Sequence, residues 1–413
     1  MRRLSHFCLT TILLFPVVET QAQSVWCEQS SGTTQNLYGV SFADANYGVV
    51  VGDSGTILRT TDGGTSWLSQ QSWTTSALRG VYLINAEVGT IVGDSGTILR
   101  TTDMGITWKS QLSGTTVGLL DVSFTSVNTG TVVGEEGTIL RTTDGGLSWF
   151  DQPSGTADCL RGVSFIDTDT GWAVGGFALI LHTVDGGATW TVQAGANWFL
   201  YDVCFTDAKT GTVVGGYPGA SALFRTSDGG MTWTEQSCTS NTLKGVSFTD
   251  ENNGTVVGGA SEIFRTTDGG ATWKRQYWRP WPYLYLFGVC FTDSCTGVAV
   301  GFLGQVIRTT SGGVTFVEGG RVDGTPTDFL LSQNYPNPFN PNTTIEFALP
   351  QAGYVTLKVY NVLGEQVATL IGRDHAAGTF KAAWDASGLP SGVYFYRLTA
   401  GEYVQTKKAL LMR

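Results

Sequence analysis

The nine residues from Arg59 to Trp67, RTTDGGTSW, return six more times along the chain at nearly fixed spacing. The aspartate of the motif stands at Asp62, Asp103, Asp144, Asp185, Asp228 and Asp268, with Ser311 in its place in a worn seventh copy, at intervals of 40 to 43 residues. A period too short for a domain and too long for a coiled coil marks a stacked or radial array, whose units bury their apolar faces only against neighbours.

Three further signals recur within each period. A short strand ends in an aromatic or leucine: GVSF from Gly39, GVYL from Gly80, DVSF from Asp121, GVSF from Gly162, DVCF from Asp202, GVSF from Gly245 and GVCF from Gly288. A glycine-bounded run follows, such as GVVVG from Gly48 or GWAVG from Gly171, then the ILRTTDGG strand and turn, then a strand opening with Trp and carrying Gln three residues on. Apolar runs of about five residues, buried on both faces, suit strands of stacked sheets. Four strands per period and seven periods predict an all-β fold, a seven-bladed β-propeller, in preference to a linear β-solenoid. The 55 glycines and a charged fraction of only 14% agree with short strands and tight turns.

The ends of the array predict how the ring closes. Trp26-Cys27-Glu28-Gln29 copies the outer-strand signal of Trp67 to Gln70 but precedes the first full unit, whereas the last copy, at Phe316, has lost Trp and Gln. Residues 24–29 are therefore expected to complete the last blade and remove an open sheet edge.

The pattern Thr-Thr-Asp-Gly-Gly-x-x-Trp resembles the Asp-box, or bacterial neuraminidase repeat. Its aspartates suit acceptance of hydrogen bonds from turn amides, and Trp67, Trp108, Trp149, Trp190, Trp233 and Trp273 suit packing beneath the turns. A catalytic residue is needed once, but these recur in every blade, so their role is expected to be structural. The whole unit, GVSFADANYGVVVGDSGTILRTTDGGTSW, resembles the propeller of the photosystem II stability and assembly factors. That resemblance implies a non-enzymatic propeller that scaffolds a partner protein through an arginine-rich face, and Arg59, Arg100, Arg141, Arg225, Arg265 and Arg308 are candidates for it. Sialidases share Asp-boxes, but this chain lacks their Arg-Ile-Pro segment, and no carboxylate pair stands out for glycoside hydrolysis. A sialidase-like Asp-box glycoside hydrolase is thus the enzymatic alternative, and no enzyme is the expectation.

Departures from the repeat are where function is expected. Loops on the face opposite the repeated turns carry Trp73, Trp198, Trp278, Trp281 and Tyr283, and Arg79, Arg161 and Lys244 stand at the start of inner strands. Aromatic faces with a few polar groups suit a sugar ring or a peptide. The net charge of -10 excludes a general grip on nucleic acid. Six cysteines follow Cys8, no CxxC pair is present, and neither metal nor cofactor is expected.

Residues 1–22, with Arg2 and Arg3 before an apolar run and Ala22 at its end, predict a secretory signal peptide. No later run is long enough to span a bilayer. The propeller is assigned to residues 24–319 and a linker to 320–329. Residues 330–413 contain LSQNYPNPFNPNTTIEFALP and WDASGLPSGVYFYRLTAG, strands punctuated by Pro and Gly that predict a small immunoglobulin-like β-sandwich. This tail resembles the type A C-terminal sorting domain of the type IX secretion system, with Lys407, Lys408 and Arg413 matching its basic terminus. The resemblance implies handling by that machinery, passage through the periplasm, and secretion or display at the cell surface. The function expected is a non-enzymatic propeller that binds a surface glycan or a protein.

Overall fold

The computed structural model describes residues 26–193, 198–239, 241–276, 285–312, 329–334, 337–401 and 403–412. The predicted signal peptide, most of the linker, and Trp278, Trp281, Tyr283 and Arg413 lie outside the described residues. The chain divides into two compact units, Met1–Thr315 and Phe316–Arg413.

The first unit contains seven antiparallel sheets of four strands each. Blade 1 spans residues 37–70, and the inner strands of blades 1 to 7 begin at Leu37, Leu78, Leu119, Leu160, Leu200, Leu243 and Leu286. Each inner strand packs beside that of the next blade, and the inner strand of blade 7 returns to that of blade 1. In blade 7 the fourth strand is Cys27–Gln29, paired antiparallel with Val306–Thr309 so that Cys27 faces Arg308 and Gln29 faces Val306. Trp26 is 1% exposed and meets Phe291 edge-on at 5.8 Å. The equivalent contact within blade 1 is Phe42 with Trp67, at 6.1 Å. Trp26 therefore supplies the tryptophan that the last repeat has lost.

Adjacent inner strands are not joined by backbone pairing, so side chains supply acceptors for their amides. Ser41, Ser123, Ser164 and Ser247 accept from the backbone N–H of Leu83, Phe165, Phe205 and Phe291 in the following blade. At the outer side, the Gln of the Trp-x-x-Gln signal does similar work. Gln152 donates to the Gly186 carbonyl at 3.0 Å, and a Cβ at Gly187, whose φ is +86°, would lie 2.1 Å from the Gln152 amide oxygen. The second glycine of the repeated turn is thus required both by its backbone angle and by its neighbour.

The aspartates of that turn close it locally. Asp62 Oδ1 accepts from the Thr60 hydroxyl and the Ser66 amide, at 2.8 and 2.9 Å, and Oδ2 accepts from the Ser66 hydroxyl at 2.6 Å. The same bonds recur around Asp103, Asp144, Asp185, Asp228 and Asp268. Hydrogen bonds to the ionised form hold Asp62, Asp144, Asp185 and Asp268 down to about 2. Their stabilisation is complete above the unfolded-state carboxylate range near 4 and disappears as pH falls through about 2. Tryptophan fluorescence is expected to report loss of the propeller in that interval.

The second unit is a β-sandwich of a three-stranded and a four-stranded sheet. Asn342–Leu349 pairs along its length with Gly378–Asp385, and Gly392–Ala400 with Tyr403–Leu411. Phe347, Trp384, Tyr396 and Leu398 fill its core. Lys408 is exposed on the last strand and Lys407 is half-buried. Among the described residues, no helix is long and apolar enough to cross a membrane.

Candidate functional site at the mouth of the channel

Each inner strand begins with a buried leucine, and its register shifts before the third residue of the strand. The extra residue at such a bulge is re-aimed away from the sheet. Here the bulge residues are Tyr38, Arg79, Leu120, Arg161, Tyr201, Lys244 and Phe287, and all seven line one cavity of about 1160 Å³ in the centre of the ring. The preceding leucine is invariant across the seven blades and the following residue is Gly or Asp, but this column carries aromatic, aliphatic and cationic side chains by turns.

The cations of the column divide into two kinds. Arg79 is answered: its Nε and Nη2 donate to the two carboxylate oxygens of Asp94 at 2.8 and 2.7 Å, and its guanidinium covers the Tyr38 ring at 4.5 Å. Tyr38 in turn donates to Asp53 at 3.1 Å and packs on Phe287 at 5.2 Å. Arg161 and Lys244 both approach the Tyr201 ring, with distances to its centroid of 5.3 and 3.2 Å. Burial, and next the Arg161 charge, lower Lys244 to about 8.

Deeper in the channel, Asp121 and Asp202 stand where five blades carry glycine. Asp121 accepts from the Val163 amide and Asp202 from the Val246 amide, each at 2.8 Å, so both tie their blade to the next. Burial raises both carboxyls well above the usual range, and proximity to Asp121 raises Asp202 further. Their contribution has the opposite sign to that of the turn aspartates, because it is lost as pH rises above the carboxylate range. Tyr82, Cys204 and Cys290, from blades 2, 5 and 7, line the same cavity. Burial pushes those thiols up to about 12 and about 11, so neither is a nucleophile near neutrality. All six described cysteines are free, and no group of three metal-ligating side chains occurs among the described residues.

Other residues singled out by the sequence lie elsewhere. Three of the six arginines of the column are withdrawn from any docking face. Arg100, Arg141 and Arg265 are buried, and the strand alternation turns them into the seam between blades. Arg265 donates to Thr255 in its own blade at 2.8 Å and to the Ser294 carbonyl in the next at 2.7 Å, with Phe291 beneath its guanidinium at 4.7 Å. Arg100, Arg141 and Arg225 repeat this arrangement, while Arg59 and Arg308 donate through Nε to the carbonyls of Met104 and Gly63. Their donors are used in stapling blades together.

Trp73 is 83% exposed and borders a different cavity, beside Trp108 and Gln111. Its φ is +59°, at a loop position where Gly32, Gly114 and Gly155 stand in other repeats. Trp73→Gly is expected to raise stability by about 1 kcal/mol through relief of the left-handed backbone, measured as a higher denaturation midpoint. Trp198 stacks on Tyr217 at 4.8 Å, and Phe199 touches Phe177 at 5.4 Å, forming an aromatic cluster between blades 4 and 5. Phe177 and Tyr217 escape the sequence reading because one occupies a turn and the other a hairpin extended only in blade 5, Gly211–Tyr217 with Ala220–Thr226.

These features define the class of the molecule: an all-β propeller with a varied channel mouth, followed by a β-sandwich. It is a propeller similar to the family described as photosynthesis system II assembly factor YCF48, whose model matches residues 18–113 and 110–196, joined to a secretion system C-terminal sorting domain matched over residues 333–412. Among solved structures, YCF48 bound to D1 peptide is 20% identical over 73% of this chain and 100% of that one, with a TM-score of 0.58. YCF48 from Cyanidioschyzon merolae is 21% identical over 69% of this chain and 98% of its own, also with a TM-score of 0.58. The Niastella koreensis GH74 enzyme is 14% identical over 94% of this chain and 75% of its own, with a TM-score of 0.56. At such identities the likeness concerns the fold alone. No curated protein matches the chain by sequence.

Proposed function

We propose that the protein is a non-enzymatic recognition propeller, delivered to the cell surface or medium by its sorting tail, that holds a segment of a partner protein at the mouth of the channel. The observation that carries this reading is one varied column: seven framework-bound positions, differing from blade to blade, converge on one cavity. The similar propeller of YCF48, solved bound to D1 peptide, is consistent with it. The channel carboxyls support a non-catalytic role, since Asp121 and Asp202 are engaged by backbone amides. The N-terminal Arg2-Arg3 and apolar run suit a route through the periplasm. A second reading, recognition of a sugar ring, is favoured by the Trp198–Tyr217 stack at the rim.

The test is a photo-cross-linking amino acid placed at Leu120, in the mouth, or at Lys209, in an exposed turn at the other end of the inner strand, in protein displayed by cells. Cross-linking of one defined polypeptide from position 120 and not from 209 is expected. Release of reducing sugar from surface polysaccharide by the purified chain would overturn the non-enzymatic reading, and equal cross-linking from both positions would remove the mouth from it.

A further inference from the structure

The contrast within the cationic column points to a ligand chemistry. Three cations stand at the same register of three inner strands, and Arg79 has a bidentate carboxylate partner. Among the described residues, neither Arg161 nor Lys244 has a carboxylate within ion-pair distance. The Arg161 Nε is buried without a hydrogen-bond partner. A buried guanidinium nitrogen left without an acceptor is costly, and two cations held near one aromatic ring repel each other unless an anion answers them. The Tyr201 ring, which both approach, offsets part of that repulsion through its negative faces.

We propose that Arg161 and Lys244, gathered around Tyr201, form a subsite for one carboxylate of the segment bound at the channel mouth. This rests on the reading of the mouth as the partner site. The surroundings select the ligand's charge. Glu135 and Glu136 line the same cavity, so a phosphate dianion or a polyanion meets repulsion that a single carboxylate, seated between two monocations, largely escapes. The guanidinium offers a planar fork to such a group and the ammonium a point charge. Leu120 and Phe287 provide the apolar contact that the flanking residues of a peptide would use.

The test uses the full chain and titration calorimetry at low salt with three acetylated tripeptides: Ala-Glu-Ala amide, Ala-Gln-Ala amide, and Ala-Gln-Ala with a free C-terminus. Inorganic phosphate is the fourth probe. Binding of at least one carboxylate-bearing peptide about tenfold or more tighter than the Gln amide is expected, and the two acidic peptides distinguish a side chain from a chain end. Arg161→Gln and Lys244→Gln are each expected to weaken that binding by about tenfold, with Lys209→Gln as a control in the opposite turn. Because Lys244 sits at about 8, a carboxylate arriving at pH 8 should draw in up to about half a proton, seen as a dependence of the heat on buffer ionisation. Lys244→Arg should keep the affinity and lose the proton uptake, which a merely structural lysine would not do. Thermal unfolding of each variant separates lost binding from lost fold.

The inference is overturned if neither acidic peptide binds, if the Gln amide binds as well as they do, if phosphate is preferred, or if both Gln substitutions leave affinity unchanged. Should the Gln amide bind equally and Leu120→Arg abolish it, the carboxylate subsite falls while the mouth remains the partner site. A partner cross-linked only from the opposite turn removes the mouth itself.

Discussion

Trp26→Ala is expected to lower the unfolding free energy by about 3–5 kcal/mol, the range for truncating a fully buried tryptophan. The side chain is 1% exposed, packs edge-on to Phe291, and leads into the strand that completes blade 7. It shares a cluster with Val257, Ile263, Leu286 and Ile307, drawn from blades 6 and 7, so the cavity left behind would loosen an inter-blade seam as well as one sheet. Denaturant unfolding followed by tryptophan fluorescence measures the effect. A midpoint shift corresponding to less than about 1 kcal/mol would mean that the ring is held shut by its inner strands and that the N-terminal strand is dispensable.

The second large effect lies in blade 4, where the seam is built from different chemistry. In blades 2, 3, 5 and 6 an arginine bonds a threonine on the neighbouring strand, as in Arg141 to Thr131 at 2.7 Å, and lies over the next blade's phenylalanine. Blade 4 has Trp172 and His182 at these places, the Trp ring stacked on His182 at 4.8 Å and on Phe205 of blade 5 at 3.4 Å. An indole slab does what the guanidinium does elsewhere. Trp172→Thr alone is expected to cost about 3–5 kcal/mol. His182→Arg introduced with it should restore the common arrangement, since the Ala208 carbonyl lies beside Gly229 as the Thr168 carbonyl does beside Gly186. A double-mutant cycle should show a favourable coupling of about 1–3 kcal/mol. Strict additivity would show that the two columns are independent and that the likeness to the other blades is superficial.

Most of the fold was legible because every blade repeats the same answer to the same packing problem, and Trp26 betrayed the closure by appearing one blade too early. The arginine column was misleading for a definite reason. An Arg just before an exposed turn reads as solvent-facing, yet Arg141, opposite Thr131 on the neighbouring strand, bonds that threonine and turns into the seam. At the mouth, charge made Arg79, Arg161 and Lys244 conspicuous, whereas Tyr38, Tyr201 and Phe287 looked like ordinary strand residues. Comparing the seven copies column by column would have found them, since the position between the invariant leucine and the Gly or Asp changes from blade to blade while its neighbours hardly do. Asp121 and Asp202 passed for minor variants of glycine because hydrogen bonds between inner strands are not written in either strand alone.

The pairing of Cys27–Gln29 with Val306–Thr309 joins opposite ends of the propeller sequence. Local hairpins within blades 1 to 6 form between residues close along the chain, but this contact must await the whole array, and such distant contacts are slow to form because chain entropy must be lost before any contact is gained. Completion of the ring therefore acts as a timer. Until it is made, the mouth lacks the fixed spacing between Tyr38 of the first blade and Phe287 of the last. A chain interrupted during synthesis or transit would carry nearly all of its blades and still have no finished channel mouth.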